Sequence, residues 1–176
     1  MTLVINPITQ SQTISINSFG IGLNSLPNGA LESLMELKYS FAGFSESTIE
    51  AGIVAKDLVV FVDLPVTESN IYGAGLAKAD TLTEVHASKN LFVFVSYINN
   101  VLILMHKGYL DFEDTSSESL NSWGNGDGLY INGSNISITP PQSNGSWVKS
   151  IGFCMPNIEG VKRIWFESDS TYFTIG

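Results

Sequence analysis

From residue 53 onward the chain alternates short apolar runs with turn-forming residues. The runs are enriched in β-branched and aromatic residues, which favour strands over helices. They lie at 53–54, 58–62, 91–95, 101–105, 129–131, 136–138, 147–153, 164–166 and 172–175. Asn99 and Asn100 separate two of these runs and predict a tight hairpin. Many short strands with frequent turns are typical of antiparallel folds, so the sequence predicts a mainly β protein with one compact barrel or sandwich.

The N-terminal segment differs from the rest, because residues 1–31 contain no charged side chain and no histidine. Within it, residues 13–17 alternate polar and apolar side chains, which predicts a strand. Two interpretations stay open for this segment. It is either the first strand of the β domain, or an extended arm that docks on a neighbouring subunit by strand addition. We predict an N-terminal arm and linking segment over 1–50, followed by a β-barrel or sandwich domain over 51–176.

A helical pattern occurs in one place, residues 30–39. Four apolar residues there have the spacing of one helical face: Leu31, Leu34, Met35 and Tyr39. The sequence therefore predicts one short helix in this segment. A strand over 37–44 remains the alternative, because the segment is short.

The charge balance restricts the partners of the chain. It has 17 acidic and 8 basic residues, and its formal net charge is −9. Phosphate contacts need clustered Lys and Arg, so this balance argues against a nucleic-acid partner. Charged residues make up only 14% of the chain, against about 25% in ordinary globular domains. A surface rich in uncharged polar residues suits a protein that lies against other proteins.

The sequence also bears on the cellular compartment. Cys154 is the single cysteine, so a disulfide within the chain is excluded. The first residues lack the basic and apolar regions of a secretory signal. No apolar stretch approaches the ~18 residues that span a bilayer. We therefore expect assembly in a cytosol, with no membrane partner.

Candidate catalytic residues are few. His86 and His106 are the only histidines, and the chain has no Gly-x-Ser-x-Gly nucleophile motif. Cys154 lies at the end of an apolar run, where a small buried hydrophobe is the favoured interpretation. We expect a non-enzymatic protein without catalytic, cofactor-binding or metal-binding residues.

An acidic run is the one candidate for a cation site. It comprises Asp111, Glu113, Asp114 and Glu118, with Asp127 farther along the chain. Calcium prefers several oxygen ligands, but this spacing does not match the twelve-residue calcium loop of an EF-hand. We interpret the run as a solvated loop, and cation binding by residues 111–118 remains open.

Several aromatic residues of the C-terminal half are candidates for a sugar-binding face. They are Tyr109, Trp123, Tyr130, Trp147, Phe153, Trp165 and Phe166. Aromatic residues in strands more often pack in the core or at a subunit interface, which is the favoured interpretation. Gly152 lies within one of the predicted strands, and it predicts a bulge or a close backbone approach.

A set of motifs follows in a fixed order over residues 53–176. The motifs are 57–62, 75–80 (Gly-Leu-Ala-Lys-Ala-Asp), 107–110, 123–131, 136–141 (ending in Thr-Pro-Pro), 148–153 and 164–167. Their order resembles a β module of tailed-phage virion proteins, of the capsid decoration (cement) or head or tail fibre type.

The resemblance implies a virion structural protein that binds and stabilises the outer capsid surface. Its implied partners are the major capsid protein, or another virion protein, and further copies of itself in a homotrimer. Its implied location is the capsid surface, after assembly in the host cytoplasm. Two alternatives stay open: a short head or tail fibre that binds a receptor, and a carbohydrate-binding or carbohydrate-active module. A fibre usually has a coiled-coil or repeat stalk, which this sequence lacks, so decoration is favoured.

Overall fold

The computed structural model describes residues 11–16, 35–113, 123–156, 161–168 and 171–176. The predicted mainly β fold is confirmed. In chain order the strands are β1 Ser11–Ile16, β2 Met35–Ala42, β3 Leu58–Asp63, β4 Ala74–Lys78, β5 Phe92–Ile98, β6 Val101–Glu113, β7 Gly128–Asn132, β8 Asn135–Ser137, β9 Trp147–Val148, β10 Ser150–Cys154, β11 Val161–Glu167 and β12 Phe173–Thr174. Helical structure in these residues is limited to a 3₁₀ turn, Glu46–Thr48, and a four-residue helix, α1, Glu84–Ala87.

Ten of the strands form one antiparallel sheet that curls into a half-barrel. The order along the sheet is β4-β3-β5-β6-β11-β10-β7-β8, and β2 joins β1 to β6. β6 is the longest strand and organises the sheet, because its first half pairs with β5 and β2 and its second half pairs with β11. β9 and β12 form a separate two-stranded sheet.

The core lies on both faces of the first half of the sheet. Along β3, Leu58 and Val60 pack into the larger apolar cluster, whereas Val59 between them packs into a second cluster. The larger cluster also contains Ile151 and Phe166, which β10 and β11 contribute. A strand that is buried on both faces needs apolar residues at consecutive positions, which explains the unbroken apolar run at 58–62.

The predicted helix over 30–39 is wrong for residues 35–39, which belong to β2. β2 pairs with β6 from Leu37 opposite Lys107 to Ala42 opposite Val101. Along β2 the apolar residues Leu37, Tyr39 and Phe41 recur at every second position, and this pattern supported the strand alternative. Pairing on both edges of β2 satisfies its backbone groups, and this tertiary effect outweighs a weak helical pattern. Residues 30–34 lie outside the described residues.

The predicted strand in the N-terminal segment is confirmed for residues 13–16, which lie in β1. β1 pairs with β2 over six residues of each strand, from Ser11 opposite Ser40 to Ile16 opposite Met35. The segment therefore contributes a strand to the main sheet, as the first interpretation expected. Docking of an arm on a neighbouring subunit stays a prediction, and residues 1–10 and 17–34 lie outside the described residues.

Candidate docking surface

One end of the sheet is built from three segments that are distant in sequence. They are the turn after β2 (43–47), the loop between β3 and β4 (64–73) and the hairpin between β5 and β6 (98–100), and together we call them the docking end. The Gly43 amide donates to the Asn100 carbonyl at 2.7 Å. The Tyr72 hydroxyl donates to the Ala42 carbonyl, and the Tyr97 hydroxyl donates to the Phe44 carbonyl at 2.8 Å. These bonds hold the three segments together.

The hairpin of the docking end is the tight turn that the sequence predicts. Asn99 and Asn100 have φ values of 52° and 60°. Two successive residues with positive φ are the requirement of a type I′ turn, whose twist matches that of the flanking strands. Asparagine tolerates this conformation better than most residues, which explains its use at both positions.

The loop over 64–73 is held in one conformation by its own hydrogen bonds. Thr67 and Asn70 exchange backbone hydrogen bonds of 3.2 and 3.1 Å, and the Leu64 amide donates to the Gly73 carbonyl at 2.9 Å. Gly73 has a φ of 61°, and a Cβ atom there would lie 2.7 Å from a methyl carbon of Val66. The Asn70 side chain donates to the Pro65 carbonyl at 3.1 Å. The loop is therefore ordered before any partner binds, so binding requires little further loss of conformational entropy.

Large aliphatic side chains are exposed on this ordered end. Val66 is 73% exposed, Ile71 is 60% exposed and Ile98 is 61% exposed. Scattered apolar residues on a surface are ordinary, but several on one rigid end form a surface that binding can remove from water. The docking end therefore presents apolar area that a contact would remove from water.

The charges around the docking end are all of one sign. Its three segments, 43–47, 64–73 and 98–100, contain Glu46 and Glu68 and no lysine or arginine. An acidic rim favours a partner surface that presents cations, because charges on the two sides of an interface are usually complementary.

The two histidines lie in structural positions. His86 is buried in α1, and its Nδ1 atom accepts a hydrogen bond of 3.2 Å from the backbone amide of Asp80. His106 lies on β6 beside the rings of Phe92 and Tyr39, with centroid distances of 5.4 and 6.0 Å. Burial lowers the pKa of both imidazoles, so the neutral form is favoured in each. Among the described residues, neither imidazole hydrogen-bonds to a serine or a carboxylate.

Cys154 is buried in the core, as the sequence predicts. Burial raises the pKa of its thiol, which disfavours the reactive thiolate. Its backbone accepts from the Gly126 amide and donates to the Asp127 carbonyl, both at 2.8 Å. The residue therefore anchors the turn before β7.

The acidic run is only partly described. Asp111 forms two hydrogen bonds of 2.6 Å with the Arg163 guanidinium, and these bonds lower the pKa of its carboxyl group. Asp127 accepts a 2.7 Å hydrogen bond from the Gly124 amide. Within the described part of the chain, no group of three His, Cys, Asp or Glu side chains could hold a metal ion. Asp114 and Glu118 lie outside that part.

The seven aromatic candidates divide into two groups. The core interpretation is confirmed for the four buried residues, Trp123, Trp147, Trp165 and Phe166. Tyr109 and Tyr130 are half-buried, whereas Phe153 is 43% exposed.

Sequence reasoning missed the docking end. The sequence does contain one indication of it. In the loop over 64–73, the apolar residues Leu64, Val66 and Ile71 occur among turn-forming residues rather than in a strand pattern. The structure also shows why that indication is weak. The surface forms only when β2, the β3–β4 loop and the β5–β6 hairpin meet at one end of the sheet.

No family model matches the chain, and no curated protein or solved structure matches it. Among the helices of the described residues, none is long and apolar enough to cross a membrane.

Proposed function

We propose that the protein is a non-enzymatic structural component of a tailed-phage virion, a capsid decoration protein that binds and stabilises the outer surface of the shell. The observation that carries this proposal is the docking end, where exposed aliphatic residues lie on a loop already fixed by hydrogen bonds. The motif order over 53–176 supplies the virion context. The docking end supplies a means of attachment that requires no catalysis.

The docking end is large enough to matter energetically. Complete burial of a valine or isoleucine side chain contributes about 1.5–3 kcal/mol. Val66, Ile71 and Ile98 are each at least 60% exposed, so their burial in a contact would contribute roughly 3–5 kcal/mol together. A contribution of that size corresponds to an affinity gain of roughly two to four orders of magnitude.

Charge indicates the kind of partner. Two copies that met through their docking ends would bring Glu46 and Glu68 of one copy near the same residues of the other. Like charges at a contact are unfavourable, and each chain already has a net charge of −9. The docking end therefore fits an apolar surface with a basic rim on a different protein, which in a virion is the major capsid protein. Contacts between copies in the expected homotrimer would use other surfaces.

Substitution of the docking end tests this proposal. Replacement of Val66 and Ile71 by Asp should leave the fold intact, since both side chains are exposed, and should reduce occupancy on the particle at least tenfold. Val85→Asp is the matched control, because Val85 is 60% exposed on α1, outside the docking end. Occupancy is measured by adding each purified variant to particles that lack the protein and quantifying the bound fraction after sedimentation.

Two results would contradict the proposal. One is equal occupancy of the double variant and the Val85→Asp control. The other is absence of the protein from purified virions when their peptides are identified by mass spectrometry.

A further inference from the structure

A β-bulge in β10 turns one aromatic side chain out of the core. The pairing of β10 with β7 shifts register between Ser150 and Gly152, and Gly152 has a φ of +136°. In a regular strand, residues 151 and 153 would face the same side of the sheet. Instead Ile151 and Cys154 are buried, whereas Phe153 is 43% exposed. Bulges commonly re-aim a side chain in this way, often beside a binding site.

Phe153 faces a groove of about 580 Å³, a volume within the usual range for ligand sites. The groove is lined by Asn90, His106, Ser150, Gly152, Phe153, Trp165, Glu167 and Ser168. Phe153 lies directly opposite Trp165 across the β10–β11 ladder. Trp165 is only 4% exposed, so Phe153 supplies the exposed aromatic surface, and the remainder of the lining consists mostly of hydroxyl, amide, imidazole and carboxylate side chains.

Glu167 is held in position beside this aromatic surface. Its Oε1 atom pairs with Lys107 Nζ at 2.9 Å, and its Oε2 atom accepts a 3.0 Å hydrogen bond from Trp165 Nε1. The side chain of Glu167 remains about half exposed. A carboxylate has about four lone-pair sites, so each oxygen can accept a further hydrogen bond from a ligand.

The other polar side chains of the groove complement this acceptor. Asn90 and Ser150 are exposed, and they offer both donors and acceptors. The His106 imidazole hydrogen-bonds to the Leu91 backbone, and its Nδ1 atom is buried, so His106 shapes the groove without offering a ligand a hydrogen bond. The lining contains no lysine or arginine, and the nearby Lys107 is paired with Glu167. The groove therefore offers mixed hydrogen bonding without a positive charge.

We propose that this groove binds a neutral sugar ring of a glycan. A pyranose ring has an apolar face of C–H groups and a periphery of hydroxyls, each of which donates and accepts. The Phe153 ring matches the apolar face, and the amide, hydroxyl and carboxylate groups match the hydroxyls. An acidic sugar or a phosphate would meet the Glu167 carboxylate and a chain of net charge −9, so neutral sugars are favoured. The groove shares no residue with the docking end.

Saturation-transfer NMR of the full-length protein tests the inference. The probes are maltose, lactose, cellobiose and chitobiose at about 10 mM, ten times a Kd of about 1 mM, which would detect even weak binding. At least one of them should bind. Phe153→Ala should weaken that binding at least tenfold, because the apolar contact is lost. Phe173→Ala is the matched control, since Phe173 is 63% exposed on β12, away from the groove, and it should bind as the unaltered protein does.

Three results would overturn the inference: no binding of any probe, equal binding by Phe153→Ala and the control, or binding of sialyllactose as tight as that of lactose. Thermal unfolding of each variant shows whether a loss of binding reflects a loss of fold. Phe153→Ala should also retain full occupancy on the particle. Failure of sugar binding can therefore be distinguished from failure of docking.

Discussion

Among the described glycines, Gly152 leaves the least space for a side chain. A Cβ atom built on it would lie 1.8 Å from the carbonyl oxygen of Trp165 and 3.2 Å from the Cα atom of Phe166. Both are backbone atoms of β11, which is paired on its other edge with β6. Relief of the overlap therefore requires separation of β10 from β11, because no flexible side chain can move aside.

The magnitude of a Gly152→Ala substitution follows from two effects. Overpacking in an ordered region costs about 1–3 kcal/mol, and occasionally more. A non-glycine residue at an unfavourable φ costs about 1–3 kcal/mol in addition. We expect a loss of about 4 kcal/mol of unfolding free energy, from a total of about 5–15 kcal/mol. For a chain of this size, that loss lowers Tm by about 8–16 °C.

Thermal and urea unfolding of Gly152→Ala can be compared with a control that isolates the backbone effect. Gly52 has a φ of +84°, but a Cβ atom there would meet nothing within 4 Å. Gly52→Ala should therefore lose only about 1 kcal/mol, or about 2–4 °C in Tm. Equal Tm values for the two variants would refute the argument that contact with the Trp165 carbonyl makes glycine necessary.

Two further predictions concern pH and assembly. Hydrogen bonds from Arg163 lower the pKa of Asp111 in the folded state. They therefore stabilise the fold fully above the ordinary carboxyl pKa of about 4. This stabilisation is lost as the pH falls through the lowered pKa of the folded state. Asp111→Asn should therefore destabilise the fold at pH 7, by at most about 1 kcal/mol for this half-exposed pair, and the difference should shrink in urea titrations near pH 3. In solution or on the particle, mass measurement should give three times 19.1 kDa. A protein that is monomeric in solution and lies singly on the shell would contradict the homotrimer.

The sequence was most informative where the cause of structure is local. The apolar run at 58–62 became β3, because a strand buried on both faces needs consecutive apolar residues. Asn99 and Asn100 identified a hairpin because few residues tolerate two positive φ values in succession. Gly152 predicted a bulge or a close backbone approach, and the structure has both.

Local patterns were insufficient where pairing between distant segments decides the structure. The run at 101–105 predicted the start of β6, but the strand continues to Glu113 because residues 107–113 pair with β11. The segment over 35–39 was predicted as helix because the pairing of β2 with β6 is invisible in its own residues. The groove beside Phe153 likewise combines a residue that precedes β5 with residues of β6, β10 and β11.

Glycine positions the exposed apolar groups of both proposed surfaces. At the docking end, Val66 packs over Gly73 so closely that a Cβ atom would overlap its methyl group. In the groove, the φ of Gly152 reverses the alternation that would otherwise bury Phe153. Full burial of a large apolar side chain contributes about 1.5–3 kcal/mol to stability, and each of these exposed side chains lacks part of that contribution. Because Val66 and Phe153 each lie beside a backbone position that only glycine accommodates well, both belong to a defined local structure. A partner bound at either surface would recover this burial energy, and the two surfaces have no residue in common.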